Sequence, residues 1–181
     1  FVNLLTCILG TLTLALYIFV YTPLKRWTSF NTIVGAIPGA LPPLMGWTAV
    51  RGSLDAGGWT LFLVLFLWQL PHFLAIAWMY KEEYGGAGYV MLPNVDPTGK
   101  KTAKHALIYT IILVPCSLLP VYFNVSGGIY AIGAILLGGG FIWQAVKFSC
   151  ALDRSRARQL FFYSIIYLPL LLLLMTFDKA G

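Results

Sequence analysis

The stretch Ala56-Gly-Gly-Trp-Thr-Leu-Phe-Leu-Val-Leu-Phe-Leu-Trp-Gln-Leu-Pro-His-Phe-Leu-Ala-Ile-Ala-Trp-Met-Tyr80 contains no Asp, Glu, Lys or Arg. A helix rises about 1.5 Å per residue, so roughly 20 apolar residues cross the hydrocarbon core of a bilayer. This stretch is long enough. It is also continuously apolar, whereas the strands of a membrane barrel are shorter and alternate. A helix satisfies its own backbone hydrogen bonds, which lipid cannot do for it. The stretch therefore predicts a membrane-spanning helix.

The same reading extends in both directions. Phe1–Leu24, Trp27–Val50, His105–Val146 and Gln159–Phe177 are also free of charged residues. The run from His105 to Val146 is long enough for two spans, and Asn124-Val-Ser-Gly-Gly128 supplies a turn in its middle. The expected fold is all-α: a polytopic bundle of about six transmembrane helices, near residues 2–20, 32–50, 58–79, 105–123, 128–147 and 158–177. Residues 1–181 are expected to form a single transmembrane domain. Composition agrees. The chain of 181 residues is 59% hydrophobic and 10% charged, with a mean hydropathy of +0.81. Soluble domains average roughly 25% charged residues, and a small soluble fold cannot bury this much apolar surface.

The ends suggest a longer parent. Without an initiator Met, a basic leader or a cleavage site, the first span does not read as a signal peptide. The expectation is a piece whose N-terminal part is missing. Cys7, Cys116 and Cys150 are odd in number and widely spaced, so neither a disulfide framework nor a metal motif is expected.

Charge then sets a topology. Lys25 and Arg26 fall in the first connection between spans. Lys81, Lys100, Lys101 and Lys104 fall in the third. Lys147, Arg154 and Arg156 fall in the fifth, with Arg158 at its edge. These connections lie on one side of a six-span chain, and the other side receives only Arg51 and Lys179. The positive-inside rule places the rich side in the cytoplasm or mitochondrial matrix. The net charge of +6 is thus a topology signal and does not point to nucleic acid.

Several positions depart from a plain bundle. The second span reads Thr32-Ile-Val-Gly-Ala-Ile-Pro-Gly-Ala-Leu-Pro-Pro-Leu-Met-Gly46, and three prolines within six residues are expected to break its helix. Gly35 and Gly39 form a small-xxx-small pair suited to close helix approach. Such a span either packs as a kinked helix or lines a cavity. In the third span, Gln69 and His72 are polar at membrane depth, and groups of this kind face the bundle interior or a cavity. His72 reads equally as a simple hydrogen-bonding partner of a neighbouring helix. At about 100° per residue, His72, Met79 and Glu83 would share one face. Glu82 and Glu83 form an acid pair at the rim beside Lys81. They read either as an ordinary interfacial pair or as carboxylates for Mg²⁺, which binds through one or two carboxylates plus substrate phosphates. The following loop, Gly85 to Gly99, is long and contains Met and Leu, as a functional lid would. Basic groups, two acids and an apolar cavity suit a lipid with a diphosphate head.

Tyr21-Thr-Pro-Leu-Lys-Arg26, Asn31-Thr32, Gly35-Ala-Ile-Pro-Gly-Ala-Leu-Pro-Pro-Leu-Met-Gly-Trp47, Trp68-Gln-Leu-Pro-His-Phe-Leu-Ala75, Tyr80-Lys-Glu-Glu-Tyr84 and Arg158-Gln-Leu-Phe-Phe162 closely resemble the haem branch, the protoheme IX farnesyltransferases, of the UbiA-type intramembrane prenyltransferases. The resemblance covers essentially the whole chain. It implies a nine-helix bundle, of which these spans match the fourth to ninth. It implies transfer of a farnesyl group from farnesyl diphosphate to a vinyl group of protoheme IX (haem B), giving haem O. Mg²⁺-assisted ionisation would generate an allylic cation, the vinyl carbon would attack it, and water would complete the hydroxyethyl group. Glu82 and Glu83 match the second acidic motif as catalytic and metal-binding residues, although other branches carry more aspartates there. Lys25 and Arg26 match the basic loop that holds diphosphate, with Tyr21, Asn31, Gln69 and Lys81 as further substrate contacts. His72 matches a histidine of the haem branch, implying a haem contact. The first acidic motif is absent from these residues, so the chain alone is expected to be inactive. The resemblance implies a bacterial cell membrane or mitochondrial inner membrane, with haem A synthase or oxidase assembly factors as partners. Two rival readings stay open: a prenyltransferase acting on an aromatic quinone precursor, and a transporter with broken helices. No inverted repeat between the two halves supports the latter.

Overall fold

The computed structural model describes residues 2–179. Among them, six helices are long and apolar enough to cross a membrane: α1 (Leu4–Leu24), α2 (Asn31–Arg51), α3 (Ala56–Met79), α6 (Lys100–Tyr122), α7 (Gly128–Ala151) and α8 (Arg154–Phe177). Two short helices, α4 (Lys81–Gly86) and α5 (Leu92–Val95), lie in the third connection. The six expected spans are all present. Two of them start earlier than the charge-free runs suggest. Lys100, Lys101 and Lys104 belong to the first turns of α6, and Arg154, Arg156 and Arg158 to those of α8. Charge-free runs mark what lipid surrounds, but a helix continues into the interface while its first N–H groups have partners. Those partners are carboxylates. Asp153 accepts from Arg156 N–H at 2.7 Å, and Asp96 accepts from Thr102 N–H at 2.9 Å.

The third helix is central. It packs on α2, α6 and α8, while α7 closes the far side against α6 and α8. The main core runs through α3, α6, α7 and α8 and alternates small and large side chains. Ala103, Ala106, Ala134 and Ala145 sit among Phe141, Phe148, Tyr130 and Tyr167, all essentially buried. Small residues let backbones approach where lipid offers no hydrophobic drive to associate. Buried hydroxyls then tie helices together: Tyr130 donates to the Ser117 carbonyl at 2.8 Å, and Ser117 and Tyr167 share a 2.8 Å hydrogen bond. The first helix is more peripheral. It is joined to α2 by Asn3, which donates to the Thr48 carbonyl at 2.8 Å, and by a 2.9 Å Thr6–Thr48 hydroxyl pair.

Three contacts place the first, third and fifth connections at one end of the bundle. Val90 N–H donates to the Lys25 carbonyl at 2.7 Å, the Arg154 guanidinium lies 5.6 Å from the Tyr80 ring centroid, and Ser149 reaches the Ala103 carbonyl at 3.4 Å. Apart from Arg51 and Lys179, the basic residues therefore gather on one face.

Two expectations need correction. The prolines do not break α2, which stays helical through Pro38, Pro42 and Pro43. A proline removes one i→i−4 bond without forcing a chain reversal, and neighbours pack the helix along its length. Nor do His72, Met79 and Glu83 share one helix face. The third helix ends at Met79, Tyr80 leaves helical geometry (φ −119°, ψ 29°), and α4 restarts at Lys81.

Candidate functional site

A cavity of about 280 Å³ opens beneath the basic end, between α1, α2, α3 and the third connection. Its wall is built from local irregularities. Leu16–Tyr21 of α1 winds as a π-helical turn, a rare form frequent at functional sites. That turn brings Tyr17 and Tyr21 together, with ring centroids 5.3 Å apart, and both line the cavity. Lys25 follows on the next turn. Its ammonium lies 4.4 Å from the Tyr21 ring centroid, 5.8 Å from Tyr17 and 6.0 Å from Tyr89. The cation is thus held at the cavity by three aromatic rings rather than by a carboxylate.

The opposite wall comes from the proline-rich helix. A Cβ at Gly35 would collide with the Tyr21 ring, and one at Gly39 with the Gln69 amide oxygen. The small-xxx-small pair therefore receives two side chains, and both belong to the candidate site. Gln69 donates from Nε2 to the Ala36 carbonyl at 2.8 Å. This bond orients the amide so that Gln69 lines the cavity from α3.

The long third connection is ordered across this cavity. Asn94 donates to the Lys81 carbonyl at 2.6 Å, which closes the loop on itself. Asn31, fully buried, donates to the Thr28 carbonyl at 2.6 Å and to the Val90 carbonyl at 2.7 Å. With the Val90–Lys25 bond, these contacts clasp the first connection to the third. Tyr84, Tyr89 and Met91 then face the cavity from above.

Of the residues expected at the site, Tyr21, Lys25 and Gln69 line this cavity. Asn31 does not touch it and serves as the clasp beneath the loops, because its amide is committed to backbone carbonyls. Arg26 is exposed at the rim. Lys81 turns to the Trp78 ring, 4.9 Å from its centroid. Glu82 and Glu83 stand exposed on α4, outside the cavity wall. His72 is also elsewhere. Its ring stacks between Trp68 (centroids 4.9 Å) and Phe161 (5.0 Å), and its Nδ1 meets Ser164 Oγ of α8 at 2.7 Å. Sequence reading missed Tyr17, Tyr89, Thr32 and Met91 as wall residues. The tyrosines carried a signal, since aromatic residues near basic ones at a membrane interface are candidate contacts, but a π-turn has no reliable sequence mark.

The acid pair differs from the other acids of the chain. Of six acidic residues, four close helix N-termini. Asp55 caps α3, Asp153 caps α8, Asp96 binds Thr102 in α6, and Asp178 accepts from Tyr130 N–H of α7 at 2.7 Å. Burial pushes the Asp96 carboxyl up, but hydrogen bonds from the Thr102 backbone and from the Thr98 and Thr102 hydroxyls outweigh it and leave the group below its ordinary value. Among the described residues, Glu82 and Glu83 have no such bond. They are the two carboxylates free to meet a ligand. No group of three or more His, Cys, Asp or Glu able to hold a metal exists among the described residues. Two carboxylates fit Mg²⁺ only where substrate phosphates complete its shell.

A helical membrane bundle with a cavity under basic loops and a free acid pair is the architecture of an intramembrane prenyltransferase. Residues 1–166 match the UbiA prenyltransferase family, and the chain belongs to it. Within that family it is similar to proteins named protoheme IX farnesyltransferase. The one from Solibacter usitatus (strain Ellin6076) is 49% identical over 180 residues, covering 99% of this chain and 62% of the relative. The one from Salinibacter ruber is 46% identical over 162 residues, covering 90% and 57%, and that from Opitutus terrae is 44% identical over 179 residues, covering 98% and 61%. The chain thus spans about three fifths of the length of these relatives. A solved structure of digeranylgeranylglyceryl phosphate synthase superposes with a TM-score of 0.81 at 20% identity, covering 98% of this chain and 62% of that one, which establishes the shared fold.

Proposed function

We propose that this chain forms part of an enzyme that transfers a farnesyl group from farnesyl diphosphate to a vinyl group of protoheme IX, giving haem O. The observation that carries the reading is the joining of the first and third connections over the cavity. That junction sets Lys25 and its tyrosine cage beside a loop bearing two uncommitted carboxylates.

The roles follow from the chemistry of each group. Lys25, with Arg26 at the rim, neutralises the diphosphate charge, and three rotatable ammonium donors suit phosphate oxygens. Glu82 and Glu83 would hold Mg²⁺, with substrate phosphate oxygens completing its shell. When bound, the ion neutralises charge building on the leaving diphosphate. The rings of Tyr17, Tyr21, Tyr84 and Tyr89 present π-faces near the reacting end, where an allylic cation gains from their quadrupoles. Gln69 fixes the wall between cavity and bundle, and the prenyl tail lies along apolar helix surface. The balance is simple. The C1–O bond to diphosphate breaks and diphosphate keeps the electron pair. The vinyl carbon bonds to C1, and water adds to the resulting cation and loses a proton. The reacting face is the cytoplasmic or matrix side, where the basic connections lie.

The test is a membrane assay of the complete enzyme with farnesyl diphosphate, Mg²⁺ and protoheme. Formation of haem O is expected. Prenylation of a hydroxybenzoate acceptor with no haem O would move the chain to the quinone branch. Export of an intact substrate without any prenyl transfer would favour a transporter.

A further inference from the structure

His72 sits in the third helix at a depth where a polar ring needs a reason. Both faces of its imidazole are covered, by Trp68 at an interplanar angle of 22° and by Phe161 at 30°, and Phe73 meets it edge-on with centroids 5.3 Å apart. Only the ring edge is left for chemistry. One nitrogen of that edge is assigned, because Nδ1 lies 2.7 Å from Ser164 Oγ.

The proton on that bond can be placed by elimination. Ser164 Oγ also lies 2.6 Å from the Phe161 carbonyl oxygen. A carbonyl has no proton to give, so this short contact needs the serine hydroxyl proton. A hydroxyl has only one. Ser164 Oγ is therefore an acceptor toward the ring, and His72 Nδ1 carries a hydrogen. In neutral imidazole the other nitrogen then bears the lone pair. That nitrogen, Nε2, has no hydrogen-bond partner among the described residues and is not a sealed-in polar atom. Trp68 Nε1 donates to the Ser164 carbonyl at 2.8 Å, which pins the serine from its other side. The result is an imidazole with its tautomer, ring plane and free nitrogen all fixed by α8.

We infer that Ser164 is a positioning residue that holds His72 in the Nδ1–H form, so that Nε2 ligates the iron of the protoheme substrate. This rests on the proposed haem reading. A ligating imidazole commonly donates its other N–H to a fixed acceptor, which orients the ring and raises its basicity. The porphyrin would approach along the exposed apolar surface beside the ring, where Phe73 is 42% exposed.

The test titrates protoheme into the complete enzyme in lipid nanodiscs, with resonance Raman and electron paramagnetic resonance as readouts. Wild type is expected to show histidine-ligated iron. His72→Gly loses that signature, and added imidazole restores it. Ser164→Ala leaves the Trp68 bond intact, because that bond uses the main-chain carbonyl, so folding is preserved. It is expected to weaken haem binding about tenfold or more and to lower the iron–nitrogen stretching frequency, with the KM for farnesyl diphosphate unchanged. Ser164→Thr, which keeps the hydroxyl, retains both. If wild type binds haem with a histidine signature and Ser164→Ala matches it in affinity and frequency, the positioning role is wrong. If wild type binds haem and His72→Gly leaves the spectrum unaltered, the ligand assignment is wrong while the haem reading stands. Failure of wild type to bind haem or form haem O overturns both.

Discussion

Two of the cavities among the described residues lie at opposite ends of the bundle, and the larger of the two is chemically the poorer. One of about 810 Å³ lies at the weakly basic end among α2, α3 and α8. Its polar groups are few and scattered along the rim, and Trp47 Nε1 in its wall is buried without a hydrogen-bond partner. Asp55 caps α3, Arg51 stacks 5.4 Å from the Trp47 ring centroid, and the Lys179 backbone pairs with Ser126. The other, about 280 Å³, carries a caged ammonium, four tyrosines and an oriented amide. Size is a sensible first guide to a binding site, but it measures only excluded volume. Convergence of charged, aromatic and amide groups is what gives a site its chemistry, and here Lys25, the tyrosines and Gln69 converge on the smaller space.

That contrast can be broken or sharpened by substitution. The largest effect is expected from Glu82→Gln with Glu83→Gln. Both side chains are exposed, so folding should hold while turnover falls by about a hundredfold or more. A steady-state assay across Mg²⁺ concentrations checks it, and unchanged turnover would remove the metal role. Lys25→Ala comes next. Loss of a charged hydrogen bond to diphosphate should raise the KM for farnesyl diphosphate about tenfold, and the penalty should shrink as salt rises. An unaltered KM would move the diphosphate away from the tyrosine cage.

Paired glycine substitutions compare the cavities directly. Gly39→Ala forces a Cβ into the Gln69 amide and should destabilise by about 1–3 kcal/mol. Gly46, on the wall of the larger cavity, has nothing within 4 Å of a new Cβ. Gly46→Ala should stabilise its helix by roughly 0.5–1 kcal/mol and leave turnover alone. Thermal unfolding in detergent distinguishes the two, and equal destabilisation would mean that the walls are equally tight.

The smallest effect concerns pH. The Asp96 carboxyl lies below its ordinary value when folded, so its contribution is complete above the ordinary carboxylate range. It is lost as pH falls through the folded value. Asp96→Asn should flatten that acid limb of stability without altering the neutral plateau, as unfolding scans at several pH values would detect.

The spans, their number and the gathering of basic residues on one face could be read from residues alone. Each follows from a local property: lipid excludes charge, and a helix needs about 20 apolar residues to cross. Lys25, Tyr21 and Gln69 were legible too, through the family resemblance of the segments that carry them, and Gln69 also as a polar group at membrane depth. Three things needed the folded chain. Gly35 and Gly39 looked like a helix-packing pair, but what approaches a glycine is a matter of tertiary contact, and the neighbours are Tyr21 and Gln69. Asn31 and His72 looked like members of one substrate cavity. Their hydrogen bonds, to Val90 and Ser164, cross 59 and 92 residues of sequence, and no local pattern encodes a partner so distant. Glu82 and Glu83 stand out as the free acids only after the four aspartates are seen capping helices. Chemistry-bearing residue types are thus a property of the sequence. Which of them remain available to a ligand is decided by what the fold has already bonded.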